Sequence, residues 1–420
     1  MRKMRDSGIE WVGAIPAAWG VHRIASHFQE IKEKNTANAY SNALQFKMGK
    51  IIAKPQKWDE DETNETYSAY TVVHPNTIMI NGLNLEFDFV TQRVARVECN
   101  GIITSAYIAL SPRDDINAEY ICYLLKSYDA CRAFHSMGRG LRKILSYSEL
   151  KNKPIVVPPL AEQERIAAFL DAECAEIDAV LEKTRASIEE YKKLKQAVIT
   201  QAVTKGIRGD RPMKDSGIEW IGDIPAEWDV IRVKQLLKER NERSKEGKEE
   251  PLSMSQKVGL VPTKFLESIP NMASSFVGAK LAYVDDLVFN KLKAHLGVFS
   301  VSRYDGLVSP DYAVYCSTGK SNLKYLEYIF KTPQCIGEFR KKSTGIAAGL
   351  MRLHTEGLFS IYLPYPALSE QEEIAEYLNE KCTGIDALIV KKQQYLTEIE
   401  NYKKSLIYEY VTGKKEVLPL

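Results

Sequence analysis

Two stretches of this chain place a seam residue at steps that alternate between four and three. The first runs Ile166, Leu170, Cys174, Ile177, Leu181, Thr184, Ile188, Tyr191, Lys195, Val198 and Ala202. The second lies 208 positions further on: Ile374, Leu378, Cys382, Ile385, Ile389, Lys392, Leu396, Ile399, Lys403, Leu406 and Tyr410. A mean step of about 3.5 is the a/d seam of a left-handed coiled coil. Polar residues interrupt the two seams at matching places, Thr184 with Lys392 and Lys195 with Lys403. Such residues lower stability but fix register and partner. Pro158 and Pro159 precede the first helix, and Pro364 and Pro366 the second. Acidic residues then crowd each first turn (Glu162, Glu164; Glu370, Glu372, Glu373), as the helix dipole prefers. Each helix is expected to span about 45 residues, roughly 65 Å. A stripe that long needs a partner, and the two matched helices predict each other, packed antiparallel about a pseudo-twofold axis.

Between the seams the pattern changes to mixed α/β. TYSAYTVVHPNTIMIN and KLAYVDDLVFN predict strands that end at Asn81 and Asn290. GIITSAYIAL from Gly101 and GLVSPDYAVY from Gly306 predict matching strands. Each leads into a helix, Ala118–Phe134 and Leu323–Phe339, then a basic loop with glycine, then a short β run (PIVVPP, SIYLPYP). The predicted organisation is an α+β domain over 1–157, a helical spacer over 158–206, a linker and second α+β domain over 207–365, and a second spacer over 366–414. The two domains share an order of elements but few residues, which suggests one fold with two differently decorated surfaces.

The tandem repeat is also literal. DSGIEWVGAIPAAWGVHRI from Asp6 matches DSGIEWIGDIPAEWDVIRV from Asp215 at 13 of 19 positions. LAEQERIAAFL from Leu160 matches LSEQEEIAEYL from Leu368. The first motif carries Trp11, Trp19, Trp220 and Trp228 around a proline turn, which reads as packing rather than ligand contact.

Bulk numbers change this picture little. Hydrophobic content of 45% and charged content of 27% fit an ordinary globular protein of 420 residues. Net charge is +2, so any nucleic-acid argument must rest on local patches. Residues 132–153 carry a local +5 and residues 324–352 a local +4, each around a Gly-containing loop suited to phosphate. Seven cysteines without a CxxC pair favour reduced thiols in a cytosolic protein, and scattered histidines argue against a metal site. His135 and His295 lie near the basic loops. No apolar run is long enough to span a bilayer, and MRKMRDSG lacks the apolar core of a signal peptide. No catalytic constellation is found. Gly319-Lys-Ser lacks the upstream glycine of a phosphate loop, no NPPY-like motif occurs, and Pro310-Asp311 is not followed by (D/E)xK.

The doubled GxIPxxW segment (Gly13–Trp19, Gly222–Trp228) and the doubled LxEQxxIAxxL start (Leu160, Leu368) resemble the specificity subunit of type I restriction-modification systems. VTGK at Val411–Lys414 closes the second helix in the manner of that family, whereas the first copy departs to VTKG. The resemblance covers the whole chain in the family's order of target-recognition domain and helical spacer, twice. It implies a non-catalytic subunit of the prokaryotic cytoplasm. Each recognition domain would read one half of a split target on double-stranded DNA, and the helices would set the gap. It implies two modification (methyltransferase) subunits that bind S-adenosylmethionine and methylate adenine. Two restriction subunits that use ATP and Mg can join them. This chain would bind no cofactor or metal itself.

Loop position and residue type nominate base- or phosphate-contacting residues. In the first domain these are Asn81, Asn84, Arg139, Arg142 and Lys143. In the second they are Asn290, Lys291, Lys293, Lys341, Lys342, Ser343, Thr344 and Arg352. For the asparagines the plainer reading is strand-end turn chemistry. The competing function is a coiled-coil adaptor between proteins, without DNA readout.

Overall fold

A computed structural model of the chain describes residues 2–55, 66–90, 92–138, 143–256, 258–266, 275–345 and 351–417. They form two compact units, Met1–Arg185 with Gln394–Leu420, and Ala186–Gln393.

The first unit is built on a four-stranded antiparallel sheet in the order Phe28–Glu30, Ile108–Pro112, Ile78–Ile80, Val94–Arg96. Side chains alternate across a strand, so one strand can serve two cores. Ile78 and Ile80 join the main core, while Met79 joins a smaller cluster with Leu44, Val73 and Ile103. That explains why the strand reads as an unbroken apolar run. The helix Ala118–Ala130 buries Tyr120, Ile121, Leu124, Leu125 and Tyr128 in the main core. Asn117 starts it by accepting the Tyr120 N–H at 2.9 Å.

The second unit repeats the plan with Leu237–Arg240, Tyr312–Ser317, Leu287–Asn290, Phe299–Val301. Leu287 and Phe289 face the main core, and Val288 joins Leu252, Leu260, Ala282 and Val308. Asn322 caps the helix Leu323–Phe330 through the Tyr325 N–H at 3.0 Å.

Three local expectations change. The helix expected over Ala118–Phe134 stops at Ala130, where Arg132 takes a left-handed φ of 60° before the 3-10 turn Ala133–Ser136. The helix expected over Leu323–Phe339 is two, Leu323–Phe330 and Pro333–Lys342. Pro333 has no N–H to continue the first, and Thr332 caps the second by accepting the Cys335 N–H at 3.3 Å. The strands expected from Gly101 and Gly306 each divide, because a turn intervenes. Gly101–Ile103 pairs with Thr71–Val73, and Ile108–Pro112 enters the four-stranded sheet. Gly306–Val308 and Tyr312–Ser317 behave likewise.

The long helices are Leu160–Lys205 and Leu368–Val411, of 46 and 44 residues. Each unit takes a part of both. In the first unit Phe169 meets Tyr410 with ring centroids 4.4 Å apart, Asp178 meets Lys403 at 2.6 Å, and Arg185 meets Glu400 at 2.6 Å. Numbers that rise on one helix fall on the other, so the pairing is antiparallel. In the second unit Lys195 meets Asp386 at 2.6 Å, and the Lys392 ammonium lies over the Tyr191 ring at 5.7 Å. Leu170, Cys174, Leu181, Ile188, Leu378 and Cys382 are buried, and Ile177, Ile385, Ile389 and Leu396 partly so. The polar seam residues Lys195 and Lys403 form equivalent ion pairs, one in each unit. No helix among the described residues is long and apolar enough to cross a membrane.

Candidate nucleic-acid interface

The repeated motifs lock the scaffold of each unit. Asp6 and Ser7 fold the start of the first motif by accepting the N–H groups of Gly8 and Ile9, both at 3.1 Å. Asp215 and Ser216 do the same for Gly217 at 2.9 Å and Ile218 at 3.2 Å. Gly13 and Gly222 hold φ near 70° (69° and 68°), a conformation glycine adopts at little cost. The chain then returns as a hairpin, Met4–Asp6 on Ala14–Pro16 and Met213–Asp215 on Asp223–Pro225.

The glutamate and glutamine of LxEQ complete the lock. The buried Trp19 indole N–H donates to Glu162 at 3.0 Å, and Trp228 donates to Glu370 at 2.9 Å. An arginine also reaches each glutamate: Arg2 to Glu162, and Arg211 to Glu370 at 2.7 Å. Gln163, fully buried, accepts the Asn117 N–H at 2.9 Å and donates to the Pro158 carbonyl at 2.9 Å. Gln371 accepts the Asn322 N–H and donates to the Pro366 carbonyl, both at 3.0 Å. The two motifs in each half are thus one device. It joins a hairpin, a long-helix N-terminus and the cap of the core helix. Tyr120 and Tyr325 serve the helix ends, their buried hydroxyls reaching the Val411 carbonyl at 3.0 Å and the Val203 carbonyl at 3.4 Å. Burial pushes both phenols well above their ordinary range.

Asn81, Asn84 and Lys143 in the first unit, and Asn290, Lys291, Lys293 and Arg352 in the second, lie at or beside the loop that follows an inner strand. Asn81 and Asn290 take matching roles, their carboxamide oxygens accepting the N–H of Leu83 and Leu292, each at 3.1 Å. Those oxygens are thus engaged in turn chemistry. Asn84 is exposed with a left-handed φ of 53°. Lys143 is exposed with φ 40°, and its carbonyl accepts the Leu85 N–H at 3.3 Å. The loop after Ile80 therefore lies beside the segment that begins at Lys143. Arg139 and Arg142 lie outside the described residues.

In the second unit, Lys291 bonds through its backbone to Asp311 at 3.3 Å and to Leu353 at 3.0 Å. Thr344 and Arg352 pair backbone to backbone, and the Arg352 guanidinium donates to Asp311 at 2.8 Å. Burial lowers the affinity of the Lys291 ammonium for its proton, and Lys280 and Arg352 nearby lower it further. Glu239 and Asp311 lie close as well, so Lys291 stands in a mixed cluster of charges. Lys293 is exposed at the head of the turn Ala294–Leu296. Lys341 and Lys342 are exposed at the end of Pro333–Lys342, with Lys341 on Glu338 at 2.7 Å. Ser343 donates to the Phe339 carbonyl at 2.6 Å, so its hydroxyl serves the helix end.

His135 stacks flat on Phe89, with centroids 5.0 Å apart. His295 is buried in its turn. Sequence reasoning missed Arg93. Its side chain has no exposed surface and donates to the carbonyls of Asn81 at 3.1 Å, Leu83 at 2.7 Å and Asp88 at 2.6 Å. One arginine next to a strand carries no pattern that would reveal this.

Residues 99–190 match the family model described as the type I restriction modification DNA specificity domain. Over 426 aligned residues the chain is 24% identical to the type I restriction enzyme MjaVIII specificity subunit of Methanocaldococcus jannaschii, covering 96% of this chain and 94% of the relative. Over nearly its whole length the chain is similar to type I restriction enzyme specificity subunits. The EcoDI specificity subunit of Escherichia coli is 21% identical over 328 residues, 71% of this chain and 70% of that one. In fold, the chain matches a chain from a structural study of complex assembly in the type I R-M system, with a TM-score of 0.72 at 13% identity. That match covers 96% of this chain and 99% of that one. It also matches the HsdS subunit of Thermoanaerobacter tengcongensis, with a TM-score of 0.50 at 16% identity and coverage of 96% and 98%. These likenesses support a fold of two α+β domains linked by long helices.

Proposed function

We propose that each unit reads one half of a bipartite sequence on double-stranded DNA, and that the long helices set the gap between the halves. One observation carries this reading. The Trp–Glu–Arg lock and the Gln clamp recur in both units, while the loops at the strand ends differ in nearly every residue. A duplicated scaffold with divergent loops suits two readers of different sequence. Loop readers can engage base edges in the major groove, with lysine and arginine on phosphates.

The helices supply the docking face for two methyltransferase subunits. Val180 and Leu194 on the first helix, and Leu388 and Tyr402 at the same offset on the second, are exposed. All four stand at g positions beside the seam, and steps of fourteen keep them on one face of a coiled-coil helix. S-adenosylmethionine belongs to those partners, and ATP and Mg to restriction subunits that join them. This chain contributes recognition and no catalysis. A near-neutral chain then relies on its partners for much of the phosphate contact.

Footprinting the chain with its methyltransferase, on a target found by methylome sequencing, tests the proposal. Two protected half-sites with an unprotected gap support it. A complex that assembles but protects no bipartite site leaves the coiled-coil adaptor as the better reading. Exchange of residues 25–157 for those of a relative should change one half-site and leave the other. Change in both overturns the independent readers.

A further inference from the structure

The two reading loops share an apolar feature that phosphate contacts do not explain. Six positions beyond Asn81 stands Phe87, 75% exposed, and six positions beyond Asn290 stands Leu296, 48% exposed. Single exposed apolar residues are common on protein surfaces. Three observations separate these two. Both stand six residues after the asparagine at the strand end, although the two loops differ in length (81–93 and 291–298). Each loop is built to hold its shape: buried Arg93 bonds three carbonyls of the first, and Gln256 donates to the Leu296 carbonyl of the second at 3.0 Å. Each loop also carries exposed lysine, Lys143 beside the first and Lys293 within the second. Phe89, by contrast, is spoken for, stacked on His135 with the Arg132 guanidinium over its ring at 5.2 Å. A stiff loop that holds a large apolar side chain in water costs solvation and gains nothing within the unit.

We propose that Phe87 and Leu296 each make an apolar contact with the C5-methyl of a thymine in the half-site that its unit reads. The thymine methyl is the one apolar group on a major-groove edge, and phenylalanine is a side chain that fits it. The inference rests on the DNA-reading role proposed above.

The test uses the full chain with its methyltransferase and a duplex carrying the methylome-defined target. Phe87→Ala should weaken binding about tenfold, the effect of losing part of one buried aromatic side chain. It should act through the first unit's half-site and leave the slope of log affinity against log salt unchanged. Lys143→Ala, a phosphate-type change, should instead lower that slope by about one. Thymine-to-uracil substitution at one position should reproduce the Phe87→Ala loss and add nothing further in the variant. Leu296→Ala should behave alike at the other half-site.

Unchanged affinity in both variants, with wild type still protecting both half-sites, overturns this proposal and leaves the DNA-reading role intact. Loss of affinity that no uracil substitution reproduces overturns the thymine assignment. Loss of methyltransferase assembly makes the patch a protein interface and also overturns it. Failure of wild type to protect any bipartite site overturns the reading beneath it. Phe87→Leu, which keeps an apolar side chain, should retain most of the affinity and guards against misfolding.

Discussion

Arg93 carries a charge without any exposed surface, and three loop carbonyls depend on it. Removal leaves buried acceptors without a donor, which typically costs 1–3 kcal/mol for each unsatisfied group. Arg93→Met is expected to destabilise the protein by about 3 kcal/mol, read from the urea midpoint, since water can replace some of the lost bonds. It should also weaken readout of the first half-site more than the second. Equal loss at both halves would mean that the arginine supports the fold in general and not this loop. Glu327 gives a matching expectation for pH. It is buried; burial alone would raise its pKa, but Lys331 and Lys324 together outweigh that and hold it below the ordinary value of 4.5. A folded pKa below the unfolded one means that the stabilisation is present above about pH 4.5 and fades as pH falls through the folded value. Glu327→Gln should therefore be less stable than wild type at pH 7, with the difference shrinking in acid. A difference that grows in acid would reverse the assignment.

At the scale of elements, the long helices contain two kinds of contact that look equally regular and differ in weight. Leu170 is fully buried in the seam, and Leu→Ala at such sites costs about 3 kcal/mol. The Asp178–Lys403 pair at 2.6 Å sits at the surface, where such pairs contribute under about 1 kcal/mol. Thermal melts of Leu170→Ala and Asp178→Ala should separate clearly, and similar losses would refute this ranking. The seam was legible in the sequence because a period near 3.5 leaves its mark on every turn. The inner strands were legible because both faces are buried. Element ends were less so. Pro333 and Thr332 break a helix that its apolar spacing had continued, and a turn of four residues (104–107) and one of three (309–311) split the strands expected from Gly101 and Gly306. The candidate interface was legible only as a location. Residue type nominated Asn81 and Asn290, whose carboxamide oxygens are engaged in turns. Nothing in the sequence marked Arg93 or the exposure of Phe87, because both depend on which loop carbonyls converge in three dimensions.

For the whole molecule, the repeated motif gives a constraint on how its parts can be changed. The lock in each half ties a hairpin to a long-helix N-terminus through Trp19–Glu162 or Trp228–Glu370, and both are scaffold contacts. Changes confined to the middle of the helices leave both locks untouched. Each unit pairs a part of one long helix with a part of the other, so an insertion in one helix alone leaves a stretch without its partner. Seven residues added to both, after Arg185 and after Gln393, keep the a/d register and add about 10.5 Å of helix. If the helices set the gap, a methylome of cells carrying this variant should show both half-site sequences unchanged, with a gap altered by up to about three base pairs at ~3.4 Å each. A four-residue insertion, which rotates the seam, should instead lower stability and methylation together. Unchanged spacing in the seven-residue variant, with methylation retained, would show that the gap is set elsewhere. Loss of one half-site sequence would show that the readers depend on the helices for more than their spacing.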